Sequence, residues 1–255
     1  RLNPNYAEAI YNRAVALQSV QQHAEAIEGL NKVLMLAPGQ AQALARLAVS
    51  YSHLRQYEPA TQSIVSALRT HPDNPEFLLI AATLAVDLAR HDEAIGHCEK
   101  LLLREPDNAA ALAKLAFAHH VKKHPVKARL FAQKALAANP THTEALLVQG
   151  HLAASEGRHE EALAQYQKAV NTAPGSGTAH LYAGQTLNQL KRFDEGQRML
   201  EKARRLAPEQ NNLLESLIDC KLSCADWDDL ATLIADLRQT RSEEHTSELQ
   251  SHLNL

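Results

Sequence analysis

Histidine is the residue type most able to carry chemistry in this chain, because fourteen of the 255 residues are histidines. Imidazole binds transition metals when neutral, and it transfers protons near neutral pH. His23, His91 and His159 recur at a regular interval, with other ring-bearing residues in the places between them. Ligands from separate repeated segments would lie too far apart to share a metal. We therefore predict that these three histidines pack a turn between helices.

The other metal-type clusters are incomplete. His120 and His124 could share a helical face beside His119, but Pro125 ends that helix and no cysteine or carboxylate completes a ligand set. Cys220 and Cys224 are four residues apart and, with Cys98, form neither a disulfide framework nor a Cys-x-x-Cys pair. We predict no metal site, and the cysteine usage favours a reducing, cytoplasmic compartment.

Catalytic motifs are also missing from the sequence. Gly175-Ser176-Gly177 follows Pro174 with no strand before it, which is the wrong context for a phosphate-binding loop. There is no Gly-x-Ser-x-Gly elbow and no His-Glu-x-x-His helix. Glutamate pairs such as Glu160/Glu161 and Glu243/Glu244 lie in polar stretches. The chain is therefore predicted to be no enzyme and to need no cofactor.

Composition excludes two further classes of partner. A net charge of −3 lacks the basic face that replaces phosphate counterions, so nucleic acid is not expected. No run approaches the ~18 apolar residues that span a bilayer, and the longest, 77–86, is interrupted by Thr83. Alanine and leucine supply most of the 45% hydrophobic residues, which suits helices that pack closely.

The prolines reveal the elements that position all of these residues. Seven of the ten recur at intervals of 34 residues: Pro4, Pro38, Pro72, Pro106, Pro140, Pro174 and Pro208. With proline as position 32 of each unit, position 8 is always small: Ala14, Ala48, Ala82, Ala116, Gly150 and Gly184. Position 20 is also small: Ala26, Ala60, Ala94, Ala128, Ala162 and Gly196. Such a pattern predicts two helices per unit, A and B, that cross at these small residues.

This spacing resembles the tetratricopeptide repeat (TPR) family over nearly all of residues 1–240. The resemblance implies an all-α, right-handed superhelical α-solenoid of 34-residue helix-turn-helix repeats. We expect six repeats at 7–40, 41–74, 75–108, 109–142, 143–176 and 177–210. Residues 1–6 are then the end of a truncated upstream repeat, and residues 211–240 a degenerate seventh repeat or transition.

The resemblance also implies a binding groove on the A helices, at positions 2, 5, 9, 12 and 13. In this chain the residues at those positions are mildly apolar at the centre of the groove and polar at both of its ends. The candidate partner-binding residues are Leu79, Val86, Phe117, Val121, Leu147 and His151. An apolar segment of a partner protein could lie there. Alternatively, some of these residues pack against neighbouring A helices.

Two TPR subtypes do not match at their characteristic positions. Chaperone-tail binders have a Lys and Asn clamp for a terminal carboxylate, but position 5 here contains no lysine: Tyr11, Ala45, Leu79, Ala113, Leu147 and Leu181. O-GlcNAc transferases have an asparagine ladder at position 6. Only Asn12 matches it among Asn12, Arg46, Ile80, Lys114, Val148 and Tyr182.

The C-terminal segment departs from the repeat. Ile218 and Leu230 replace the small residues of positions 8 and 20. Cys224-Ala225-Asp226-Trp227-Asp228 resembles the Cys-Asp-Trp-x-Asp segment of bacterial O-GlcNAc-transferase-like and SPINDLY-like glycosyltransferases, with one extra residue after the cysteine. Trp227 also occupies the recurring ring position. Residues 241–255 resemble an in-frame translation of a common sequencing-library adapter and are expected not to be native.

The sequence therefore supports two main hypotheses. The first is a protein-interaction scaffold, a fragment of a larger protein, that binds a partner peptide or protein in the groove. The second is the N-terminal substrate-recognition region of an O-GlcNAc-transferase-like glycosyltransferase whose catalytic domain is missing. A TPR region fused to a sulfotransferase or kinase also stays open, and the uninterrupted gene would distinguish these hypotheses.

Overall fold

A turn of one recurring geometry joins each A helix to its B helix. Position 15 takes a left-handed backbone conformation, as at Arg55 (φ 57°) and Gly157 (φ 74°). The next N–H then bonds back to position 11, as in the 2.8 Å bond from Gln56 N to Tyr51 O. This is the Schellman arrangement, which satisfies carbonyls at the end of helix A and reverses the chain.

The computed structural model describes residues 4–210 and 212–239. Within them the chain is helical, with no β-strand. The A helices are α1 (Pro4–Ser19), α3 (Ala41–His53), α5 (Pro75–Asp87), α7 (Ala109–Val121), α9 (Thr143–Ser155), α11 (Gly177–Gln189) and α13 (Leu213–Cys224). The B helices are α2 (His23–Leu36), α4 (Tyr57–Thr70), α6 (His91–Leu102), α8 (Pro125–Ala138), α10 (His159–Thr172) and α12 (Phe193–Leu206), followed by α14 at 230–239.

Side chains at the A-helix N-termini help to start these helices. Asn74 Oδ1 accepts a hydrogen bond from Phe77 N at 3.2 Å, and Pro75 fits the first helical position because its missing N–H is not needed there. Asn108 and Ser176 cap α7 and α11 in the same way. The expected all-α architecture of helical hairpins is confirmed.

The chain forms two units that divide between Val148 and Gln149. In the first unit, the small residues at positions 8 and 20 are fully buried, and larger side chains such as Leu30, Phe77 and Leu101 fill the space beside them. In the second unit, α11 to α14 share one cluster that includes Leu200, Leu217 and Leu233. Ile218 and Leu230 are buried in that same cluster, so these bulky residues contribute to the core.

Two expectations about rings need correction. The recurring ring position is the first residue of each B helix rather than part of the turn, and Pro125 likewise starts α8. Trp227 does not fill such a place, because the residue is 68% exposed and α14 starts only at residue 230.

Candidate binding groove

The predicted groove residues lie on three A helices and are mostly half-buried. Leu79 and Val86 belong to α5, Phe117 and Val121 to α7, and Leu147 to α9, all within the first unit. Val121 is the most open of these, with 39% of its surface exposed. Apolar side chains left half-exposed on one helix face are available to a partner.

An open cavity of about 580 Å³ lies between α3 and α5. Six of its lining residues occupy predicted groove positions of repeats 2 and 3: Val49, Ser52, His53, Leu79, Thr83 and Asp87. Ile80 and Leu84 extend its apolar wall, and Leu84 is almost fully buried. The cavity therefore combines an apolar wall with polar groups from Ser52, Thr83 and Asp87.

The polar groups at this cavity already interact with the protein. Ser52 Oγ donates a hydrogen bond to Asp87 Oδ2 at 3.2 Å, which links α3 to α5. The ring of His53 stacks on His23 with 4.2 Å between centroids. Burial, and then the neighbouring His53, lower the pKa of His23, so the neutral form of His23 is favoured in this stack.

Two predicted groove residues also pack against neighbouring rings. Phe117 lies edge-on to His91, with 6.3 Å between ring centroids. In the second unit, His151 Nδ1 lies 2.8 Å from the Tyr166 hydroxyl, and its ring meets Tyr182 edge-on at 4.3 Å. His151 is thus part of an aromatic cluster that joins α9, α10 and α11.

Two residues at position 6, where O-GlcNAc transferases have asparagines, form ion pairs between successive A helices. Arg46 contacts Glu76 at 3.0 Å, and Lys114 contacts Glu144 at 3.3 Å. The Lys114 side chain is only 14% exposed. Arg46 and Lys114 thus stabilise contacts between repeats. This role explains the two cations without a bound ligand.

A second cavity, of about 540 Å³, lies in the second unit between α11 and α13. Gln185, Asn188 and Gln189 occupy groove positions of repeat 6 and were expected to form a polar end. The sequence pattern does not predict Ser216, Asp219 and Ser223 on α13 as their partners, because residues 211–240 depart from the small-residue repeat. Gln185 Nε2 donates to Ser216 Oγ at 2.8 Å, so the two helices share a polar surface.

The candidate metal ligands are engaged in packing. His119 is buried and stacks on Phe131 at 5.6 Å, and burial lowers its pKa. Cys220 is buried, its Sγ lies 3.3 Å from Phe193 O, and burial raises its pKa to about 12. Among the described residues, no group of three or more His, Cys, Asp or Glu side chains could hold a metal ion.

Three sequence profiles described as tetratricopeptide repeat match the chain. They cover residues 7–40, 81–177 and 153–218, which together are more than half of it. The chain belongs to the tetratricopeptide repeat family.

No helix within the described residues is long and apolar enough to cross a membrane.

Solved structures of other proteins share the fold of this chain. A thermophilic TPR protein of Thermus thermophilus is 22% identical, with a TM-score of 0.62, covering 71% of this chain and 99% of that one. Pseudomonas aeruginosa PilF is 18% identical, with a TM-score of 0.65, covering 82% of this chain and 95% of that one. Identity this low is evidence for the shared TPR fold alone.

One curated relative is similar over part of the sequence. The Drosophila melanogaster protein O-mannosyl-transferase Tmtc3 is 31% identical over 105 residues, which are 39% of this chain. The chain matches 11% of the length of that relative.

Proposed function

We propose that this TPR chain is a protein-binding scaffold that holds a partner segment along the A helices of its first unit. The observation that carries the proposal is the cavity between α3 and α5, which is open and has an apolar wall at Val49, Leu79 and Ile80. A TPR fold is typical of interaction scaffolds, because stacked hairpins present one continuous face. The proposal assigns no catalytic step to these residues.

The chemistry of the cavity indicates the kind of segment that would fit. An apolar side chain of the partner would lie against Leu79, while its polar backbone or neighbours would meet Ser52, Thr83 and Asp87. Phe117, Val121 and Leu147 offer further apolar contacts along α7 and α9.

A peptide-display screen against the intact chain, followed by Leu79→Asp, Phe117→Asp and Leu147→Asp, tests the proposal. Each substitution places an unpaired charge in an apolar contact, so binding of a selected peptide should weaken by about tenfold or more. Met35→Asp is the matched control, because Met35 lies on α2, is 73% exposed and is not part of the groove.

Ser52→Arg separates lost binding from lost folding. It fills the mouth of the cavity with a long side chain while its charge stays in solvent. Circular dichroism should be unchanged. Undiminished binding by this variant and by the three aspartate variants would contradict the proposed groove.

We propose, as a second candidate, that the chain is the substrate-recognition region of a glycosyltransferase. The similarity to Tmtc3 and the Cys224 to Asp228 segment favour this function. The O-GlcNAc-transferase-like hypothesis from the sequence belongs to the same broad class. Sequencing the uninterrupted gene tests it: a transferase domain in the same reading frame supports the candidate, and a stop codon soon after residue 240 contradicts it.

A further inference from the structure

Repeat 4 differs in charge from all the other repeats. Residues 109–142 contain no aspartate and no glutamate, whereas each of the other five repeats contains at least two acidic residues. Six basic residues lie in this one repeat: Lys114, Lys122, Lys123, Lys127, Arg129 and Lys134. The whole chain is nevertheless slightly acidic, so the positive charge is concentrated locally.

Only part of this charge is neutralised by the fold. Lys114 pairs with Glu144 and Lys122 pairs with Asp92, each from an adjacent repeat. Lys123, Lys127 and Lys134 are exposed and form no ion pair with any residue that the structure describes. Lys134 Nζ lies over the Phe131 ring, 6.0 Å from its centroid, and the residue remains exposed to solvent.

The same helix exposes aliphatic side chains beside these lysines. Val126 is 81% exposed and Leu130 is 46% exposed. Being four residues apart on α8, they lie one above the other on the same helix face. Lys127 and Lys134 flank them on one side, while the opposite face of α8 is buried through Ala128, Ala132 and Ala135. We call Val126, Leu130, Lys127 and Lys134 the α8 outer face.

Helix stability does not explain this arrangement. A helix N-terminus carries partial positive charge and favours acidic residues. The first turns of the other B helices have them, such as Asp92 and Glu93 in α6 or Glu160 and Glu161 in α10. At the equivalent places α8 has Val126 and Lys127, and its first turn contains no acidic residue. The outer face thus carries an apolar group and a cation where its neighbours carry acids.

We propose that the α8 outer face docks an acidic amphipathic helix of a partner protein, separately from the A-helix groove. Aliphatic side chains one turn apart would cover Val126 and Leu130, and flanking carboxylates would meet Lys127 and Lys134. Charge complementarity selects this occupant. Nucleic acid matches the cations but its phosphates offer no apolar surface for Val126, and two aliphatic side chains are too few to anchor a helix in a lipid surface.

The test uses the intact chain and a labelled helical peptide with leucines one turn apart and glutamates on both flanks. A second peptide, with lysines in place of the glutamates, controls for apolar contact alone. We expect the acidic peptide to bind, added salt to weaken that binding, and the lysine peptide not to bind.

The double variant V126D/K127E tests the site itself. It introduces the acidic pair found at these positions in α6, α10 and α12, so the fold should be retained, yet binding of the acidic peptide should weaken by about tenfold or more. Lys168→Glu, an exposed lysine on α10, is the charge control and should bind like the parent.

Three results would overturn the inference. The first is no binding of the acidic peptide to the parent chain, and the second is equal binding by V126D/K127E. The third is displacement of the peptide by duplex DNA or by phosphatidylglycerol vesicles at equal charge concentration, which would show a general anion-binding surface. Leu79→Asp should leave this binding intact, which distinguishes the α8 outer face from the groove.

Discussion

Gly150 on α9 leaves open the space that Tyr166 on α10 occupies. A Cβ atom at Gly150 would lie 2.3 Å from Tyr166 Cε1, closer than any real contact. Tyr166 is 2% exposed, and its hydroxyl reaches His151. In repeat 4 the equivalent residues are Ala116 and Ala132, so one glycine has allowed a tyrosine to enter the hairpin of repeat 5.

Gly150→Ala should therefore destabilise the fold. The added methyl forces Tyr166 to move within a packed core, and such overpacking costs about 1–3 kcal/mol. Urea unfolding followed by circular dichroism measures the loss. G150A/Y166A recreates the alanine pair of repeat 4, so its free energy of unfolding should exceed the value expected from adding the two single effects.

Gly96→Ala is the control for helix propensity. A Cβ at Gly96 on α6 meets no atom within 4 Å, so the change only removes the entropy cost of a helical glycine. It should raise the free energy of unfolding by about 0.5–1 kcal/mol. A loss of stability at both glycines would contradict the specific clash at Gly150.

The helices could be predicted because one sterically simple pattern repeats in the sequence. Pro75 and the small residues at Ala48 and Ala60 report a helix start and the close crossings directly. The groove could be predicted only as helix positions. Whether Leu79 lines a cavity while His151 joins an aromatic cluster depends on which rings happen to lie nearby, and a repeat consensus carries no such information.

The left-handed turn residue was invisible in the sequence for a physical reason. Position 15 needs positive φ in every hairpin, yet only repeat 5 has a glycine there, Gly157. The other repeats use Gln21, Arg55, Ala89, Lys123 and Lys191, so no glycine signal recurs. The Schellman bond and the packing of the helices impose the conformation on these residues.

Ala89→Gly should stabilise the chain. Ala89 has φ 56°, a conformation that costs an L-residue about 1–2 kcal/mol and glycine far less. Because glycine also gains freedom in the unfolded chain, we expect a net increase of about 0.5–1 kcal/mol in the free energy of unfolding.

Gly157→Ala is the reciprocal experiment. A Cβ at Gly157 meets nothing within 4 Å, so only the backbone conformation at φ 74° opposes the change. A loss of about 1 kcal/mol in chemical denaturation is expected. Equal and small effects at both sites would show that position 15 is not strained.

Acidification should destabilise the fold through histidines that are fully or partly buried. Burial is the first cause that lowers the pKa of five of them: His23, His97, His119, His120 and His142. The unfolded chain, with the ordinary value of 6.5, then binds protons more readily than the folded chain. The contribution of these histidines to the free energy of unfolding should therefore be fully present above pH 6.5. It should decrease as the pH drops below 6.5 toward the lowered pKa values.

His119→Leu tests one part of that pH dependence. Leucine fills a similar volume against Phe131 but binds no proton, so the slope of stability against pH should decrease. Phe131→Leu weakens the same packing without removing a titrating group, and should lower stability at every pH with an unchanged slope. An unchanged slope in His119→Leu would contradict the assignment.

Asp226 organises the turn between α13 and α14. Its carboxylate accepts hydrogen bonds from Lys221 Nζ at 2.6 Å, from Gln197 Nε2 at 2.9 Å and from the Asp228 N–H at 3.0 Å. The Lys221 bond, followed by the Asp228 N–H and Gln197, lowers the pKa of Asp226 below 3.8. These bonds should thus persist through mildly acidic pH and be lost only as the pH falls through that lowered pKa.

Asp226→Ala should loosen this turn, because the Lys221 side chain, only 8% exposed, loses its acceptor. Faster amide hydrogen exchange over 225–229 and lower fluorescence anisotropy of Trp227, the single tryptophan, would report it. K221M/D226A removes the buried charge together with its partner, so it should recover part of the protection lost in Asp226→Ala. If the double variant exchanges faster than Asp226→Ala, the unpaired lysine is not the cause, and Gln197 and the Asp228 N–H carry the turn instead.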